Sequence, residues 1–400
     1  MLSFSAHHEQ VLNEDQTLNK HLDHIEDLMI LQGKDGLALS IAFLKDIVES
    51  LQTGQTGMGV STKWDGKPAV VCGVNPENGK FFVSTKSAFS KTVKAYHTEA
   101  EIKAGIAIPD LANKLIDCLR YLPKLGIKGV LQGDLMFTSD TKKTLTVNKV
   151  PSIGFQPNTI FYTTPVNSEV GKAIARAKIG IVFHTAYTGQ TMNSLSASTF
   201  NFDSSKLKKN PDVWFTDPNV YDITPALLKP NESAPMLKGI SEAESLAKKV
   251  SGFLPTLLSR KDVVEHLMPY INGTINGGLS QFSASGFAKV LQTKFEKNIN
   301  KLKTEKGKQA KTETMTKALN FITAYDKQLT DLFTLHNMIA NVKEMILTKL
   351  HGISQFGHFF VDEDGIRPTD PEGFVIARSG RVVKLVNRLR FSRQNRKVNQ

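Results

Sequence analysis

The feature that most restricts this chain is a change of hydrophobic period along its length. Residues 60–83 read VSTKWD, then AVVCGV, a turn at NPENGK, and FFVST, short apolar runs broken by turn residues, as strands require. The same texture continues through GVLQGDLMF and IGIVFHTAY, then returns only at FGHFFVDEDG and EGFVIARSGRVVKLV. Between these regions lie SEAESLAKKVSGFL, SRKDVVEHLMPYI, GFAKVLQTKFEKNINKL and LFTLHNMIANVKEMILTKL, whose apolar residues recur at helical spacing. Helical text cannot extend a sheet, so the chain reads as a sheet-rich core interrupted by a helical block. This predicts an α+β chain built on antiparallel sheet, with a large helical insertion.

The boundaries follow from the same reading. Residues 1–52 form an N-terminal helical segment, with Leu22, Ile25, Leu28 and Met29, then Leu39, Ile41, Leu44 and Ile47 at helical spacing. Residues 53–204 are the first part of the sheet core, with short helices over 111–122 and around 168–178. Residues 205–350 are the helical insertion, entered through a connector containing Pro211, Pro218, Pro225, Pro230 and Pro235. Residues 351–400 complete the core and end in a basic tail. Asn78-Gly79 and Ser379-Gly380 are hairpin signals. The charged run KTEKGKQAKTETMTK reads as an exposed connection or a solvated helix end.

Composition narrows the function. Fifty lysines and arginines against 38 acids give a net charge of +12, which favours a polyanion, because lysines near phosphates release condensed counterions. Cys72 and Cys118 are the only cysteines, too few and too far apart for a disulfide scaffold or a structural zinc site. No apolar run reaches the ~18 residues a spanning helix needs, and the N-terminus lacks a leader pattern. A cytoplasmic monomer with no membrane partner is expected. Gly54, Gly57 and Gly59 are not followed by the G-K-[ST] of a phosphate-binding loop. His21, His24, His351 and His358 lack partners at metal-binding spacing.

The chemistry concentrates at Lys63-Trp64-Asp65-Gly66. A lysine becomes a nucleophile when it is partly buried near other cations, and a following glycine lets the backbone approach a ligand. Here the chain resembles the K-x-D-G signature of the ATP-dependent ligases and messenger-RNA capping enzymes. Further elements follow in that superfamily's order. Lys86 in FVSTKSAF stands where the family has a basic residue, usually arginine. Leu131-Gln132-Gly133-Asp134-Leu135 matches a strand that more often carries glutamate. Phe183, with Tyr187 in reserve, stands where an aromatic stacks on the purine. Glu372-Gly373-Phe374-Val375-Ile376 and Val383-Lys384-Leu385-Val386 match the two final strands.

The resemblance spans roughly residues 55–190 and 355–390. It implies a nucleotidyltransferase core (the ATP-grasp-like ligase adenylation fold) using ATP and Mg2+ or Mn2+. Lys63 would be the catalytic nucleophile, assisted by Lys384 and Glu372. Asp65, Gly66, Lys86, Asp134, Phe183 and Lys384 would bind the nucleotide, and Glu372 and Asp134 the metal. The family's course is AMP transfer to the lysine, then to a 5′-phosphate end, then attack by a 3′-hydroxyl. Three departures matter. Only sixteen residues follow Lys384, too few for an oligonucleotide-binding barrel, which favours the RNA-ligase branch, with RNA or nicked or ended DNA as the nucleic-acid partner. About 190 residues separate Phe183 from Glu372. Val382 or Val386 replaces the family's second terminal lysine, leaving Arg381 or Arg388 to compensate. Alternatives of GTP-dependent capping chemistry, and of a silent nucleic-acid-binding protein with this fold, stay open.

Overall fold

The structure, a computed structural model, describes residues 23–54, 59–200, 202–220, 222–353, 356–362, 365–378 and 381–390. They form a mixture of helix and mainly antiparallel sheet. Two units divide the chain, each assembled from separated stretches. The first lies in Gly59–Tyr221 and Ser354–Glu372, the second in Asp23–Met58, Asp222–Ile353 and Gly373–Gln400.

The first unit begins with β1 (Gly59–Lys63), β2 (Ala69–Val74) and β3 (Phe81–Ser84). Its centre is β4 (Val130–Thr138), buried at every position except Asp134, the pattern of a strand covered on both faces. Around β4 runs a sheet in the order β10-β8-β4-β2-β3, with β8 (Ile179–Thr188), β10 (Val213–Thr216) and, on the flank of β8, β9 (Ser196–Phe200). All pairs are antiparallel except β10 with β8. One face is covered by α4 (Pro109–Tyr121), which follows the short α3 (Glu99–Gly105). Proline opens α4, where its missing N–H costs no helical bond, and Leu115, Ile116 and Cys118 pack with Val70, Leu131, Ile181 and Phe183.

A second sheet runs β12-β11-β7-β6-β5, from β5 (Lys142–Val147), β6 (Val150–Phe155), β7 (Ile160–Pro165), β11 (Gly357–Asp362) and β12 (Gly365–Pro368); α5 (Glu169–Arg176) follows β7. β5 and β6 turn through Asn148 and Lys149, both left-handed at φ 48° and 67°, the twist a two-residue hairpin needs. His358 of β11 lies opposite Tyr162 of β7, so the strand text on either side of the helical block does join in one sheet. Aromatic rings fill the space between the sheets. Phe137 lies 4.9 Å from Phe155 and 6.0 Å from Trp214, and Phe155 stacks on Tyr162 at 5.6 Å.

The second unit contains α1 (Leu28–Leu31), α2 (Gly33–Thr53), α6 (Pro230–Ser259), α7 (Lys261–Val264), α8 (Leu267–Asn276), α9 (Ala284–Ile299), α10 (Glu305–Ala324) and α11 (Asp326–Leu350). Helix α6 starts at Pro230 and carries Pro235 and Pro255 inside it, so the helical text begins within the expected connector. The run KTEKGKQAKTETMTK is mostly α10, entered through the Thr304 side-chain cap. The hairpin β13 (Gly373–Arg378) and β14 (Arg381–Val386) sets Val375 opposite Lys384 and buries Phe374, Ile376, Val383 and Leu385 beside α11. Its turn, Ser379-Gly380, falls outside the described residues, as does part of the acidic turn after β11. The units thus divide the chain differently from the sequence-based boundaries at 204/205 and 350/351. β10 extends the first sheet by burying Val213 and Trp214, and the last hairpin groups with the helices.

Candidate active site

Lys63 ends β1, the loop after it carries Trp64 to Gly66, and the first unit holds that loop from several sides. The Thr62 N–H donates to the Pro218 carbonyl at 2.7 Å, and the Lys67 N–H to the Leu135 carbonyl of β4 at 3.1 Å. The Asp65 N–H donates to the Tyr162 hydroxyl at 2.8 Å. Asp65 Oδ1 accepts from the Asn158 side chain at 2.8 Å, and Oδ2 accepts from the Thr159 and Ile160 N–H groups at 2.7 and 3.0 Å. Trp64 packs against Tyr162 and Phe356, with centroids 5.1 and 5.2 Å away. Asp65, expected to bind nucleotide, is buried with both oxygens engaged by the turn between β6 and β7. It therefore acts as a positioning residue that fixes the loop.

Lys63 is left facing one carboxylate. Its Nζ contacts Glu372 Oε1, with side-chain exposures of 31% for the lysine and 12% for the glutamate. The Glu372 carboxyl holds its proton more tightly than usual. Burial is the main cause, the Lys63 charge and hydrogen bond oppose it, and Asp65 and Asp134 add to it. Its second oxygen is buried with no hydrogen-bond partner among the described residues. Asp134 lies on the Gly66 side of β4, because a Cβ on Gly66 would come within 2.4 Å of Asp134 Cβ and 3.0 Å of Met136 Sδ. The ladder between β4 and β8 slips at Gln132/Gly133, where a side chain on Gly133 would meet the Val182 carbonyl at 2.6 Å. The slip leaves His184 out of register, with Nε2 3.8 Å from Asp134 Oδ2.

Other expected residues fall elsewhere. Phe183 is fully buried in the core against α4, on the side of the sheet away from Gly66, so the stacking assignment to Phe183 is corrected: strand alternation turns its ring inward. Tyr187 belongs to a different cluster, with Val71, Phe82 and Val130. Its hydroxyl donates to Gln132 Oε1 at 2.7 Å, and its ring lies 4.7 Å from Phe89. Burial pushes its phenol up to about 12. Lys86 is exposed on the single turn Lys86–Phe89 and makes no hydrogen bond or ion pair with the other site residues. Lys384 sits in the second unit, where its N–H donates to the Asp23 carbonyl at 3.1 Å. Arg388 cannot stand in for a missing lysine, since its guanidinium is bound to both Asp27 oxygens at 3.0 Å within that unit.

The residues that sequence reasoning missed are Asn158, Tyr162 and His184. They carry no local pattern, because long-range pairing of β7 and the slip in β4–β8 create their roles. Among the described residues no three His, Cys, Asp or Glu side chains are grouped to hold a metal ion. A magnesium ion does not need such a cage: one or two carboxylates plus phosphate oxygens and water complete its octahedron. Glu372, with its unpartnered Oε2, fits that donor set.

Fold and site together define a two-unit α+β protein with a lysine–glutamate pair beside Asp134. Residues 19–400 match the family of unknown function (DUF6267), and the chain belongs to that family. No curated protein and no solved structure matches it.

Proposed function

We propose that this chain is an ATP-dependent polynucleotide ligase acting on RNA, with Lys63 as its nucleophile and a nucleotidyltransferase core as its first unit. The observation that carries this reading is the contact of Lys63 Nζ with the largely buried Glu372 carboxylate, beside a loop tied to β4 and to the β6–β7 turn. Nucleotidyl transfer asks for a nucleophile in line, an acceptor for its proton, and neutralised phosphate charge. The Lys63 ammonium gives its proton to Glu372, whose burial favours taking it. The freed electron pair attacks the α-phosphorus of ATP, the phosphorus–nitrogen bond forms as the bond to the pyrophosphate oxygen breaks, and the second proton of that nitrogen leaves with the pyrophosphate. Magnesium, when bound, would neutralise charge on the phosphates, with Asp134 near by as a carboxylate ligand and Glu372 Oε2 joining it once Glu372 has passed its proton on to water. AMP then passes from Lys63 to a 5′-phosphate end, and attack by a 3′-hydroxyl releases it. The resemblance gives Lys86 the role of holding phosphates.

The test is incubation with α-labelled ATP and magnesium, followed by a denaturing gel. Wild-type protein is expected to keep the label and Lys63→Ala to lose it. Label from GTP in place of ATP would turn the reading to capping chemistry. No label from either nucleotide would defeat it.

A further inference from the structure

Helices α9 and α10 form a hairpin whose charge is far out of balance. Between residues 289 and 317 there are nine lysines and three glutamates, an excess that equals half of the net charge of the whole chain. Lys289, Lys294 and Lys297 are exposed on α9, Lys301 and Lys303 in the turn, and Lys306 at the start of α10. None of these six has an acidic partner within ion-pair distance among the described residues.

The glutamates do little to offset them. Glu305 pairs with Lys308 at 2.7 Å, while Glu296 and Glu313 take hydrogen bonds from Gln292 and Gln309. The apolar side is closed: Ala284, Phe287, Leu291 and Phe295 of α9 and Ala318, Phe321 and Ile322 of α10 are buried, and Lys311 lies over the Phe295 ring at 4.9 Å. The lysines are therefore held outward on a packed scaffold. Like charges one helical turn apart, as at Lys294 and Lys297, oppose the helix they stand on. Burial first, then the charge of Lys294 and less that of Lys311, holds the His266 imidazole below its ordinary range against the opposing charges of Glu265 and Asp262.

We propose that the α9–α10 hairpin is a docking surface for the phosphate backbone of a single-stranded nucleic acid. Six exposed ammonium groups on two helices and their turn suit a polyanion with closely repeated charges. The absence of exposed aromatic rings among residues 284–324 points to backbone contact without base stacking. Naming RNA as the partner rests on the ligase reading above; the surface itself rests on charge and placement. Bound there, the strand would be gripped through many weak, exchangeable contacts.

The test compares full-length wild type with Lys294→Gln/Lys297→Gln/Lys301→Gln/Lys303→Gln, using a fluorescein-labelled single-stranded RNA of mixed sequence across a salt series. All four lysines are exposed, so the melting temperature serves as a folding check. A control of equal charge change, Lys34→Gln/Lys172→Gln/Lys248→Gln/Lys249→Gln, separates local from overall charge. The hairpin variant is expected to bind at least about tenfold more weakly near 0.1 M salt, with a salt slope shallower by about 0.7 for each phosphate no longer neutralised; the control should stay within about threefold. Equal weakening in both variants, or in neither, would overturn the proposal. So would unchanged RNA binding with abolished binding to phosphatidylserine vesicles. Lys63 labelling by ATP in the same variants is an independent readout: label with no lysine-dependent RNA binding sinks the docking surface alone, and lysine-dependent RNA binding without label sinks the ligase alone.

Discussion

Gly66 has space for a hydrogen atom and little else. A methyl group there would press on the Asp134 Cβ at 2.4 Å, an atom anchored in a buried central strand, so the Lys63–Gly66 loop would have to move. Displacements of about 1 Å at a reacting group cost on the order of a hundredfold in rate. Gly66→Ala is therefore expected to cut Lys63 labelling by about a hundredfold while the protein still folds; full labelling in that variant would show that the loop need not lie against β4. At this scale the sequence was legible where chemistry is local. Lys63 and Glu372 were both named from their motifs, and they meet. Phe183 was misjudged because the face a strand residue takes depends on neighbours that one strand does not reveal. The role of Asp65 was hidden because its partners, Asn158, Thr159 and Ile160, lie more than ninety positions away.

Helix α11 carries a charge into the interior of the second unit. Lys343 is 1% exposed and donates to Glu26 Oε1 at 2.7 Å, and His336 meets Asp27 at 2.9 Å on the same side. Removing one member of such a pair leaves a buried charge unanswered, which costs about 3–5 kcal/mol, whereas apolar replacement of both members is often neutral. Lys343→Ala is expected to lose stability in that range, measured by denaturant midpoint, and Glu26→Leu/Lys343→Met to recover most of it; a double variant as unstable as the single one would contradict this account. The elements themselves were largely readable. The Asn78-Gly79 hairpin, the helix after Ile108 and the strand at 179–188 follow from turn chemistry and period. The β5–β6 hairpin escaped notice because Asn148-Lys149 turns without a glycine. The start of α6 was masked by prolines, although Pro230 opens that helix where proline is tolerated.

Over the whole molecule, acid should act mainly through the second unit. Burial, aided by Arg388, Lys384 and Lys343 and opposed by Glu26, lowers His24 to about 2. Burial and Arg390, opposed by Glu344, lower His351 to about 4. Both folded-state values lie below the unfolded 6.5, so the unfolded chain binds the extra protons. The stability these groups confer is complete above pH 6.5 and is lost as pH falls, down to about 4 for His351 and about 2 for His24. The slope is at most about 1.4 kcal/mol per pH unit for a buried histidine, and less for His351, which is partly open to solvent. Melting temperature should therefore drop between pH 7 and 5, and His24→Leu should flatten the curve; a wild-type profile level over that interval would refute the assignment. The joining of β11 to β7 also has a consequence for birth on the ribosome. Until Gly357–Asp362 emerges, β7 presents a bare hydrogen-bonding edge, and all of Asp222–Ile353 must be translated first. At roughly 5–20 residues per second that interval is on the order of ten seconds. For that time the nascent chain carries a sticky, half-built sheet that other strands can invade.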